Sequence, residues 1–291
     1  MIRRFDRWLF AAGDPRRLAA LRIGLCLIVA ARLARPLFAG LGGQPEPLFR
    51  PRSFMNVFDA MPGRTVTIVV QLITVALLVA AAVGLGSRIA LPLGWIGAML
   101  LFGMENSVGK VIHHDVLPLL AMIPLLPAPT DPAWSIRPAR RPVDWAVTGW
   151  PVRTAGVLVA GVYLIAGIVK LVLSGPAWVL GPNLRHVLYT ASDAHGGNTV
   201  ALFVADRPIL ASAVAAGALL FELTLWIALA RPRLAPVFVL WAAALHTGIW
   251  LTIGINYVSW AITVAVVLID WPAIVDRLAS HPVAEPEPAV R

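Results

Sequence analysis

The chain predicts an all-α fold, a polytopic membrane bundle of about eight transmembrane helices with N- and C-termini cytoplasmic. Three observations carry that expectation. Hydrophobic residues make up 59% of the 291 and charged residues 13%, about half the charged share of an average soluble domain. Long uncharged runs recur, and the clearest, Val66 to Leu85, is long enough at ~1.5 Å per residue to cross ~30 Å of hydrocarbon. The basic residues, 24 against 15 acidic ones, mostly flank those runs. A net charge of +9 would suggest nucleic acid in a soluble protein, but here it reads as a topology signal, with no nucleic-acid partner.

The elements follow in chain order. Residues 1–17, with Arg3, Arg4, Phe5, Trp8 and Phe10, predict an amphipathic segment lying at the membrane interface. A first span at about 18–38 carries Arg22, Arg32 and Arg35, which argue against a cleaved leader. A Pro- and Gly-rich loop leads to the second span, and Gly86-Ser87-Arg88 predicts a tight turn into a third at 89–104. The fourth segment, 116–127, is short and interrupted by Pro118, Pro124 and Pro127. Further spans are predicted at about 152–173, 208–230, 234–252 and 255–271, with Gly254 turning between the last two. The stretch 174–207 reads as polar and irregular, and 276–291 as a disordered tail. The bundle proper is thus 18–275.

Under this topology most Arg residues, including Arg88, Arg137, Arg140, Arg141, Arg231 and Arg233, fall on the side of the N-terminus. Arg50, Arg52, Arg64, Lys110, Arg185 and Arg207 fall opposite. The excess places both termini in the cytoplasm of a cell with a multi-pass protein in its plasma or inner membrane.

Lys170 stands out. The only other Lys is Lys110, and Lys170 sits in an apolar run from Val157 to Leu173. A charge at membrane depth costs at least ~3 kcal/mol and marks a functional-site candidate. An ammonium, unlike a guanidinium, can lose its proton when desolvated and act as a base. Topology puts His113, His114, Asp115, His246 and Glu222 in the same outer depth zone. Each also has a structural reading: Lys170 snorkelling to the interface, His246 donating to a backbone carbonyl, Glu222 neutralising Arg22 or Arg32. Trp residues near span ends read as interface anchors. His113-His114-Asp115 lacks the spacing of a known metal motif, and Cys26 is the single cysteine, so no metal is expected.

Tyr163-Leu164-Ile165-Ala166-Gly167-Ile168-Val169-Lys170-Leu171, followed by Trp178-Val179-Leu180-Gly181, resembles a stretch of the vitamin K-dependent gamma-carboxylase family. It is similar to the membrane domain that family shares with bacterial horizontally transferred transmembrane (HTTM) proteins. Leu21-Arg22-Ile23, Asn106 to His114, and Leu245-His246-Thr247 resemble further family segments in the same order, so the likeness covers about residues 5–275. It implies Lys170 as the base, with His114 and His246 assisting, and Tyr163, Trp178 and His113 around a cofactor. It implies a reduced menaquinone or vitamin K-type quinol as that cofactor, carboxylase-like lyase or oxygenase chemistry, and a secreted peptide as substrate. The carboxylases continue into a long lumenal region that helps hold the glutamate-rich substrate, and this sequence has none after the last span. Two functions therefore fit: quinol-dependent base chemistry at the outer leaflet, or a non-enzymatic membrane protein that binds lipid or quinone or assists a secreted partner.

Overall fold

In the computed structural model, which describes residues 2–35, 37–109, 113, 115–138, 144–194 and 196–280, every predicted span is helical. No strand occurs among the described residues beyond an isolated bridge between Phe49 and Val108. Helix α1 (Ile2–Leu9) is followed by α2 (Pro15–Leu33). Asp14 caps α2 by accepting from the Arg16 amide at 2.8 Å, and Pro15 sits in the first turn, where its missing N–H costs nothing. A short α3 (Leu37–Leu41) leads through two 3-10 turns to α4 (Arg64–Ala82) and α5 (Ser87–Asn106). Gly86, at φ +63, makes the turn between the last two in the left-handed region expected of it. Helix α6 (Val116–Met122) continues as a 3-10 turn to Leu125. Then come α7 (Ala146–Ser174), α8 (Ala177–Leu180), α9 (Asn183–Ala194) and α10 (Thr199–Ala205). The chain closes with α11 (Pro208–Thr224), α12 (Ile227–Ala230), α13 (Ala235–Ile253), α14 (Val258–Leu268) and α15 (Trp271–Ala279).

Four helices, α4, α5, α7 and α13, are long and apolar enough to cross a membrane, and up to six spans result if α10–α11 and α14–α15 each count as one bent span. The bends are 99° and 72°. The other two of the eight predicted segments fall short for physical reasons. Helix α2 has 19 residues but carries four Arg. Val116–Leu125 is apolar but rises only ~15 Å, and its Leu117, Met122 and Leu125 are fully buried. It packs as a core helix. The stretch 174–207 departs from the irregular reading, because it forms α8, α9 and α10. Leu188 of α9 with Ala201 and Ala205 of α10 makes a small second core there, and Asn198 donates to the Leu251 carbonyl at the end of α13. The tail residues 281–291 lie outside the described residues, and α15 reaches Ala279.

Charges inside the bundle are matched by position. Arg22 has no exposed surface. It donates to the Thr130 and Trp134 carbonyls, to the Ala82 carbonyl at 3.3 Å and to Ser135 Oγ at 2.8 Å, and lies 3.7 Å from the Asp131 carboxylate. It thereby ties the 130–135 loop and the end of α4 to α2. Trp134 adopts φ +46, a left-handed conformation costing ~1–2 kcal/mol for a residue with a Cβ, and its carbonyl meets Arg22 at 2.6 Å. Towards the other end of α2, Arg32 pairs with Glu105 at 2.7 Å and Asp115 at 3.1 Å and lies over the rings of Phe38 and Phe102.

Replacing Arg22 by Ala strands several buried carbonyls and the loop that carries them. Thermal unfolding in detergent is expected to drop by the equivalent of ~3 kcal/mol. Arg22→Lys should recover only part of it, because a single ammonium cannot span the forked set of acceptors. An unchanged melting temperature for Arg22→Ala would remove this role.

Candidate functional site

Lys170 lies one turn before the end of α7. The register of Gly156 against Leu229 and Gly167 against Leu223 makes α7 antiparallel to the α11–α12 segment. Gly167 is needed for that approach: a Cβ there would come 2.9 Å from Leu223 and 3.2 Å from the Glu222 Cβ. The close contact brings Lys170 Nζ onto Glu222 Oε1 as an ion pair with a hydrogen bond. The Lys170 side chain is 24% exposed and that of Glu222 11%, so neither reaches into open solvent. Trp178, on α8, presents its ring 5.2 Å from the Lys170 ammonium. Glu222 Oε2 and Trp178 Nε1 are buried without a hydrogen-bond partner among the described residues. Beside this cluster Ile165, Val172, Leu173 and Leu180 stand 64–79% exposed, a face that suits lipid.

A second cluster sits about two turns back along α7, ~10 Å by helical rise. Tyr163 OH meets His246 Nε2 at 2.7 Å, both side chains being buried. Tyr257 OH meets His113 Nε2 at the same distance. Trp260 is the hub, its ring 5.5 Å from Tyr163, 6.0 Å from His246, 5.4 Å from Tyr257 and 6.4 Å from His113. Phe221 packs edge-on to Tyr163 at 5.1 Å and immediately precedes Glu222, so α11 joins the two clusters. His246 Nδ1 is buried and unpartnered.

The residues singled out in the sequence therefore divide. Lys170 and Trp178 come together; Tyr163, His246 and His113 come together around Trp260; His114 lies outside the described residues. Glu222 does not neutralise Arg22 or Arg32. Those guanidiniums are engaged by the 130–135 loop and by Glu105 and Asp115, which leaves Glu222 to Lys170. Sequence reasoning missed Tyr257 and Trp260. Their i, i+3 spacing just after Gly254 puts two aromatics on one face of the start of α14, a signal that was available.

The HTTM domain family profile matches residues 10–271, and the chain belongs to the HTTM domain family. No curated protein and no solved structure matches it. The matched range takes in both clusters and the buried Arg22.

Two substitutions test the geometry. Gly167→Val should force α7 from α11 and separate Lys170 from Glu222, lowering the melting temperature by the equivalent of ~1–3 kcal/mol; an unchanged value would show that the contact is loose. Tyr163→Phe removes one buried hydrogen bond and leaves His246 unpaired, with an expected loss of ~1–2 kcal/mol.

Proposed function

We propose that this HTTM-domain protein carries a membrane-embedded proton-transfer site built on Lys170 and Glu222, serving a lipid-phase aromatic alcohol of the quinol class. The observation that carries the reading is the Lys170–Glu222–Trp178 cluster. A basic group and a carboxylate share one contact beside an aromatic face, next to exposed apolar side chains. A flat quinol needs an aromatic surface and a few polar groups in an apolar setting. Trp178 offers the surface, while its Nε1 and Glu222 Oε2 are a donor and an acceptor with no partner among the described residues; the residues fit the group. When bound, a quinol supplies an acidic hydroxyl and a source of electrons. Glu222 Oε2 accepts the hydroxyl hydrogen bond, the Lys170–Glu222 pair takes up the proton, and Trp178 holds the ring plane. The exposed apolar flank of α7 gives entry from the bilayer. The Tyr163–His246 pair fixes α7 against α13. The residues supply proton transfer; a secreted peptide is the substrate class we assign to the reaction.

A second reading, a protein that binds lipid or quinone without turnover, is favoured by one feature: Lys170 already has its counter-charge in Glu222. Both readings include a plasma or inner membrane location, eight membrane-associated segments counting α2 and α6, and cytoplasmic termini.

Menaquinol added to the full-length protein in nanodiscs is expected to quench tryptophan fluorescence, and Trp178→Phe to remove the quench. The base role predicts that Lys170→Arg keeps binding but, like Lys170→Met, loses aerobic quinol oxidation by at least ~100-fold. Binding by wild type without oxidation supports the second reading, and no quench in wild type sinks both. For topology, a membrane-impermeant maleimide on intact cells, in a Cys26→Ser background, should label a cysteine at position 64 and spare one at position 88. The reverse pattern would invert the orientation.

A further inference from the structure

At the end of the bundle that carries the N-terminus, far from Lys170 along α7, two hollows flank the loop that Arg22 pins. Arg153 of α7 holds the end of α1 through the Leu9 and Ala12 carbonyls, which fixes that end as the one where α1 lies. The first hollow, about 480 Å3, is lined by Arg88 at the start of α5, by Asp131, by Val147 and Trp150 of α7 and by three loop prolines. The second, about 460 Å3, is almost wholly apolar and lies between Ile23 and Leu27 of α2, Val83, and Trp134 and Ile136 of the same loop.

We propose that the first hollow binds the phosphoethanolamine headgroup of a membrane phospholipid, with an acyl chain lying along the second. Neither charged group makes a hydrogen bond among the described residues. Arg88 makes no hydrogen bond or ion pair among the described residues. Its guanidinium suits a phosphodiester. The Asp131 carboxylate keeps a quarter of its side chain exposed, and its ion pair with Arg22, at 3.7 Å, carries no hydrogen bond. A half-buried carboxylate that accepts no hydrogen bond calls for an N–H donor, and a primary ammonium brings three. Phosphate and ammonium joined by two carbons match a cation and an anion lining one cavity. A trimethylammonium headgroup has no N–H to give, and an anionic headgroup would set a second negative charge against Asp131. Trp150 stands at the rim, where an indole favours the interface. Leu27, Val83, Trp134 and Ile136 are 37–69% exposed around the second hollow, as a lipid chain arriving from the bilayer requires.

The test is native mass spectrometry of the full-length protein with palmitoyl-oleoyl phosphatidylethanolamine, phosphatidylcholine and phosphatidylglycerol at equal concentration. Wild type is expected to retain the ethanolamine lipid about tenfold over the other two. Arg88→Gln lies on an exposed, unpartnered position, so it should fold normally and lose that retention. Asp131→Asn should abolish the preference for ethanolamine over choline, with its fold checked by thermal unfolding. Soluble glycerophosphoethanolamine should fail to compete. Equal retention of all three lipids by wild type, undiminished retention by Arg88→Gln, or full competition by the soluble headgroup would each overturn the proposal.

Discussion

The structure depends on placing cations inside an apolar bundle at tolerable cost. A guanidinium at the centre of a span costs ~3 kcal/mol or more, and α2 carries two that are wholly or largely buried, Arg22 and Arg32. Each is answered differently. Arg22 is held mainly by backbone carbonyls of a loop, and Arg32 by the carboxylates of Glu105 and Asp115 with aromatic rings alongside. These contacts fix α2 at the centre of the bundle against α4, α5 and the 130–135 loop. Because α7 packs directly on α2 and α11 packs on α7, the placement of Lys170 and Glu222 follows from it.

Lys170 is a further cation within the bundle, and it differs in kind. It has one carboxylate rather than a shell of acceptors, an aromatic face rather than a backbone cradle, and a partial opening towards exposed apolar side chains. Arg22 is held by several acceptors, although its Nε is also buried without a hydrogen bond among the described residues, and it serves architecture. The Lys170 contact leaves Glu222 Oε2 and Trp178 Nε1 without partners, which is the pattern of a site that something else completes.

The helices were largely legible because apolar runs of 15–20 residues and their Gly and Pro punctuation are local signals. Gly86 and Gly254 both take the left-handed turn that their positions between spans imply. Lys170 was legible because a lone Lys in an apolar run is anomalous by composition. Lateral pairing was not. Glu222 has no local mark that chooses Lys170 over Arg22, because the choice is made by a contact between helices that depends on Gly167. The satisfaction of Arg22 by carbonyls was invisible as well, since every residue has a carbonyl and no pattern shows which ones a fold will aim inward. The helices α8, α9 and α10 were missed because they are short, and their order comes from packing on one another and on α11 rather than from periodicity.

The Arg22 contacts also say something about how the chain is made. The hydrogen bond to Ser135 closes a sequence separation of 113 residues. At a synthesis rate of about 5–20 residues per second, that partner emerges roughly 6 to 23 s after Arg22 itself. During that interval α2 carries an unanswered guanidinium, and so it has no stable place in lipid by itself. Helix α2 must stay in the insertion machinery, or at the membrane surface, until α4, α5, α6 and the loop beyond them have been delivered. The first long helix to be synthesised is thus among the last to settle, and membrane assembly of this protein runs from its middle outward.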